Sequence, residues 1–188
     1  GAAVARVAAS SPGTMLTSVT GAPPPNPPNG EHTTQSAASK RARSAANARS
    51  AANGRSRRLQ ASASGHGNCT FEAGLCDWTG SGSKQWARGR STPSSGTGPS
   101  KAHDGAQFVF LHTLPGSKGD TSYLVSPALA DVAAMQFWFH MHGKDMGALA
   151  VEASNGGGDW TTVWSKAGQQ QASASDPWLS SGTVPLPI

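Results

Sequence analysis

His140 and His142, set one residue apart, are the pair in this sequence best spaced for metal chemistry. On an extended strand, residues i and i+2 point to the same side, so both imidazoles can address one ion of the kind that favours nitrogen ligands. A working site also needs a third ligand and an open coordination position. His112 is the nearest further histidine, and Lys144-Asp145-Met146-Gly147, which follows the pair, brings no glutamate. The expectation is therefore two histidines at a surface or interface. No nucleophile elbow, phosphate-binding loop, dinucleotide fingerprint or His-Glu-x-x-His motif occurs, so no residue is assigned a catalytic role.

The two cysteines, Cys69 and Cys76, lie seven positions apart around Ala73-Gly74. Glycine accepts the positive φ of a tight reversal, so a local disulfide is feasible. The spacing does not fit Cys-x-x-Cys metal or redox motifs, and two cysteines make a poor zinc site. Six tryptophans raise another possibility, a stacking platform for glycans. Trp86 and Trp178 stand in polar surroundings and are the tryptophans expected at a recognition surface.

Residues such as these need a scaffold, and the pattern from Phe71 onward has period two. In 135–141, Met135, Phe137, Phe139 and Met141 fall on one face, with Gln136, Trp138, His140 and His142 on the other. Gln107 to Leu111 reads as a buried strand between glycine and proline signals. Leu149 with Val151, and Thr162 with Trp164, continue the alternation across a turn at 155–159. Short strands, glycine-rich turns and no helical period indicate an all-β sandwich or barrel.

The 188 residues divide sharply. Residues 1–67 hold no aromatic residue or cysteine, and carry eight Lys or Arg against one Glu; residues 68–188 carry seven against nine. The high isoelectric point thus belongs to the first part and gives no reason to assign specific nucleic-acid binding to the second. Residues 11–39 are rich in proline, serine, threonine, glycine and asparagine, and Arg-Ser-Ala-Ala-Asn repeats from Arg43, so 1–67 is expected to be a disordered basic tail or linker. Ala2 to Ala9 is apolar, but it is short and interrupted by Arg6 for a signal-peptide core. Arg55, Arg57 and Arg58 fit a convertase-type Arg-x-Arg-Arg processing site, and Asn68-Cys69-Thr70 is a glycosylation sequon on Asn68. No apolar run is long enough for a membrane span.

Cys69, Phe71-Glu72, Gly74-Leu75-Cys76 and Trp78 resemble the opening signature of the MAM domain. Gly96 to Ser100, Leu124 to Pro127 with Leu129, Phe137 to Met141, Gly143, Met146 to Leu149, and the pair Trp160 and Trp164 follow in that family's order. The resemblance covers 69–188 and implies an antiparallel jelly-roll β-sandwich over 68–188, with the family's last strands falling beyond residue 188. It implies a Cys69–Cys76 disulfide in an oxidising compartment and loss of the family's second bridge at Ala134. It places Trp78, Trp138 and Trp160 in the core. Glu72, with Asp104 if its loop shifts by two positions, would belong to a structural calcium or sodium site; otherwise Glu72 accepts backbone hydrogen bonds.

The function so implied is a non-catalytic extracellular recognition or adhesion module of a larger membrane-attached or secreted protein. It needs no cofactor, and its partners are proteins met in adhesion or oligomerisation. A glycan-binding sandwich is one alternative. A metal-dependent enzyme resembling the cupin jelly rolls, which use His-x-His, is the other.

Overall fold

The computed structural model describes residues 2–10, 15–22, 68–112, 119–156 and 158–186. Eleven strands and no helix occur among them: β1 (Val4–Ser10), β2 (Met15–Ala22), β3 (Thr79–Gly82), β4 (Trp86–Gly89), β5 (Phe108–Leu111), β6 (Thr121–Val125), β7 (Ala134–His140), β8 (Ala148–Ser154), β9 (Thr161–Ala167), β10 (Leu179–Ser180) and β11 (Val184–Pro185). They form two antiparallel sheets, one ordered β3-β6-β1-β8-β9 and the other β10-β7-β2-β5-β4, with β11 also on β7.

Alternation of side chains on each strand creates the core between the sheets. From the first sheet come Val7, Leu124, Leu149 and Val151; from the second come Val109, Leu111, Phe137 and Phe139. Trp164, partly buried on β9, meets the Phe137 and Phe139 rings edge-on at 4.9 and 5.1 Å. The expected strands at 107–111 and 135–141 are thus found as β5 and β7, and the all-β antiparallel sandwich is the observed fold.

The expected tail is corrected over residues 3–10 and 15–22. β1 pairs with β8 along its whole length and with β6 from Arg6 to Ser10, while β2 pairs with β7 and β5. Both strands therefore sit inside the sheets. The physical reason is a period-two pattern written in small residues. Ala5, Val7 and Ala9 are fully buried, while Arg6 between them faces outward. Arg6 does not interrupt an apolar run; it marks the other face of a strand. Its guanidinium lies over the Tyr123 and Trp160 rings, at 4.2 and 4.1 Å from their centroids, and pairs with the Glu152 carboxylate. Residues 23–67, which contain the basic repeat and Arg55, Arg57 and Arg58, lie outside the described residues.

Cys69 and Cys76 are bonded, with Cα atoms 5.9 Å apart. The reversal between them is not made by a positive φ at Gly74. Phe71 and Cys76 take the left-handed conformation instead, at φ 61° and 54°. For a residue with a Cβ this costs about 1–2 kcal/mol, offset at Phe71 by complete burial of a large ring.

Candidate recognition site

β7 presents its even-numbered side chains to the outer face of the second sheet. There Phe108, Phe110, Ala102 and Trp178 form a second, smaller apolar cluster with Trp138 packed against it. Two loops cover it. Residues 99–103 are tied down by Trp178 Nε1, which donates to the Lys101 carbonyl at 3.0 Å, and by Ser100 N, which donates to the Ala174 carbonyl at 2.7 Å. Residues 170–178 are tied to the end of β7 by Gln171. Its Oε1 accepts from Met141 N at 2.8 Å, and its Nε2 donates to the Phe139 and Pro177 carbonyls.

A cavity of about 380 Å³ opens between these loops, lined by Lys101, His103, Trp138, Asp176, Pro177 and Trp178 among others. One wall is a stack of His103 on Trp138, with centroids 3.9 Å apart and planes inclined by 17°. The lining also includes a fixed acid. Asp176 Oδ2 accepts from Ala172 N and Ser173 N, and Oδ1 accepts from Ser173 Oγ at 2.7 Å. The Ser173 hydroxyl and backbone bonds hold the Asp176 carboxyl below its usual pKa, so it is anionic at neutral pH. Aromatic walls with a carboxylate and a lysine in the lining suit a ligand with apolar faces and hydroxyl or amine groups.

His140 lies beneath this site rather than on its surface. It is fully buried, its ring 5.6 Å from Trp178 and 6.4 Å from His142. Neither ring nitrogen finds a hydrogen-bond partner of good geometry among the described residues. Burial pushes its pKa down to about 4; the Asp176 backbone and carboxylate oppose this and His142 adds to it. The expectation of a surface position is corrected for His140, whereas His142 is half-buried. His112 bonds Ser94 at 2.9 Å, and no group of three or more His, Cys, Asp or Glu side chains is arranged to hold a metal ion among the described residues.

The tryptophans are sorted differently from expectation. Trp86 belongs to the main core at 6% exposure because β4 turns it inward, its polar sequence neighbours notwithstanding. Trp178 is 7% exposed and lines the cavity from within. Trp138 and Trp160, expected in the core, are half-buried; one walls the cavity and the other holds Arg6. Trp78 is buried as expected.

Glu72 braces a loop. Its Oε1 accepts from Ala106 N at 2.8 Å and Gln107 N at 2.7 Å, and these bonds, the Gln107 one foremost, lower its pKa with help from Arg88 and Arg90. Asp104 turns to its own neighbour, accepting from Gly105 N at 2.9 Å. Asn68 is exposed beside the buried Cys69.

Comparison with known proteins agrees with this architecture. Residues 69–181 match the MAM domain, meprin/A5/mu. Mouse Neuropilin-1 is 33% identical over 95 residues, covering 45% of this chain and 10% of that protein, so the chain spans a small part of its relative's length. No solved structure matches. MAM domains are non-catalytic modules, typically extracellular and engaged in adhesion or recognition. With more than half its length matched and both sheets antiparallel, this chain belongs to the MAM domain family.

Proposed function

We propose that the chain is a non-catalytic recognition or adhesion module of a larger extracellular protein, secreted or attached to a membrane, and that it contacts protein partners through the outer face of the second sheet. The observation that carries this reading is the cavity walled by the His103–Trp138 stack, in a chain matched to the MAM family over 69–181. The Cys69–Cys76 bond fits an oxidising compartment. Beads coated with the protein are expected to cluster with one another or bind the surface of partner cells. Trp138→Ala and His103→Ala, which remove cavity wall outside the main core, should abolish that adhesion while the circular dichroism spectrum stays unchanged. Adhesion undiminished in both variants would locate the contact elsewhere.

Aromatic walls beside the Asp176 carboxylate also favour a glycan as ligand, since sugar rings stack their apolar faces on such walls and donate hydroxyl hydrogens to carboxylates. Binding on a glycan array that is lost in Trp138→Ala would select this second reading.

A further inference from the structure

The Asn68-Cys69-Thr70 sequon takes no part in the Trp138 cavity. Exposure alternates from Asn68 to Glu72: Asn68, Thr70 and Glu72 face water, whereas Cys69 and Phe71 enter the main core. The two side chains that make the motif an acceptor, the Asn68 carboxamide and the Thr70 hydroxyl, therefore share the solvent side of the chain. A glycan on Asn68 projects into water and displaces no core side chain. The residue between them is fixed. Cys69 is 3% exposed and bonded to Cys76, and Phe71, next to Thr70, is completely buried.

We propose that Asn68 is an N-glycan attachment site, and that closure of the Cys69–Cys76 bridge ends its ability to accept the glycan. The proposal rests on the extracellular reading for its compartment, which supplies a co-reactant for each step. In the first step, Asn68 Nδ2 attacks the anomeric carbon of an oligosaccharide carried on a polyprenyl diphosphate. The new C–N bond replaces the C–O bond to the diphosphate, which leaves with the bonding electron pair, and an Nδ2 proton passes to a base of the transferase. In the second step, the Cys69 and Cys76 thiols each give up a proton and an electron to the disulfide of an oxidoreductase, which becomes a dithiol.

The two steps are compatible in one order. Transfer needs the backbone of 68–70 drawn into the enzyme cleft so that carboxamide and hydroxyl are gripped together, and the bridge pins the middle residue in the sandwich. Glycan before bridge is allowed, because Asn68 faces water in the folded protein; bridge before glycan is not. Cys76 follows Asn68 by eight residues, so it is made within roughly one second of Asn68 at about 5–20 residues per second. Disulfide formation takes seconds or longer, so neither step outruns the other completely and glycan occupancy is partial.

The test uses the full chain behind a supplied signal peptide, translated with microsomes from secretory cells. Because entry into the compartment is supplied, a failed site is distinguished from a failed extracellular reading, and no outcome depends on what the Trp138 cavity binds. The chain has no other Asn-x-Ser/Thr sequence, so a mass shift reversed by peptide N-glycosidase reports on Asn68 alone. The parent is expected to carry glycan on part of its molecules, and Thr70→Ala on none. Cys76→Ser keeps the sequon and removes the bridge, so occupancy should rise about twofold or more; reductant during translation should raise it in the parent. Phe137→Ala, which weakens the core and leaves both cysteines in place, should stay at the parent's occupancy. A parent without glycan would overturn the site. Equal occupancy in the parent and Cys76→Ser, or a rise in Phe137→Ala as large as in Cys76→Ser, would overturn the control by the bridge.

Discussion

Lowering the pH from 7 to 5 protonates the histidines of the unfolded chain, but it leaves His140 of the folded protein neutral, since burial holds that ring at a pKa of about 4 against an ordinary 6.5. The unfolded state then binds a proton that the folded state refuses, so stability falls as the pH falls. This contribution is complete above about 6.5 and is lost progressively down to about 4. Linkage over the two pH units from 7 to 5 gives a loss of about 2 kcal/mol, a large fraction of an ordinary domain stability of about 5–15 kcal/mol. The window matters. Glu72 and Asp176 hold their carboxyl groups below the ordinary values of 4.5 and 3.8, so stability they contribute above those values is lost only at more acid pH.

Urea unfolding at half-unit steps between pH 7 and 5 measures the slope, and a histidine-selective NMR titration places the His140 ring itself. His140→Leu supplies the internal control. It removes two ring nitrogens that find no well-aligned hydrogen bond among the described residues from a fully buried position, so stability at pH 7 should stay within about 1 kcal/mol of the parent. The acid slope in this window should shrink by the same 2 kcal/mol, roughly. An unchanged slope in the variant, or a His140 resonance titrating near 6.5, would refute the reasoning that the loops at 99–103 and 170–178 seal this ring from water.

Three other outcomes are expected. Cys69→Ser with Cys76→Ser opens a bridge whose eight-residue loop (separation 7) is worth about 2.5 kcal/mol by chain entropy, so the melting temperature should fall and become indifferent to reductant. A parent melt already indifferent to reductant would contradict this. Gly105→Ala should destabilise by about 1–3 kcal/mol in urea melts, because its φ is +64° and the new Cβ would collide with Glu72 Oε1, displacing the carboxylate that braces Ala106 and Gln107; a neutral result would mean the brace is dispensable. Phe137→Ala empties the middle of the core under Trp164 and should cost about 3–5 kcal/mol, read as a lower urea midpoint with quenched tertiary circular dichroism.

The parts of the fold that were legible in sequence are those where large apolar side chains carry the alternation. Met135, Phe137, Phe139 and Met141 name β7 and its inward face without help, and Phe108 to Leu111 name β5. β1 carries the same period in alanine and valine, where each inward residue contributes little apolar area and the signal sinks into a background of alanine-rich sequence. Its long separation in sequence from β6 and β8 hides its place further, because pairing partners more than a hundred residues away leave no local mark.

The candidate site was legible only as an inventory of residues. Alternation on β7 does assign Trp138 and His140 to the outer face, and that assignment holds. What it cannot supply is the cover. The strand period has no information on Gln171, whose amide ties residues 170–178 over that face, or on Lys101, whose carbonyl receives the Trp178 indole. Those bonds between segments far apart in sequence turn an outward-facing histidine into a buried one and leave its strand neighbour Trp138 walling a cavity. On a sandwich, then, the sheet decides which residues leave the core, while the loops packed outside decide which of them reach water. The proposed recognition site lies where that second layer is incomplete: over Trp138 and His103, beside an Asp176 held ionised by its own turn.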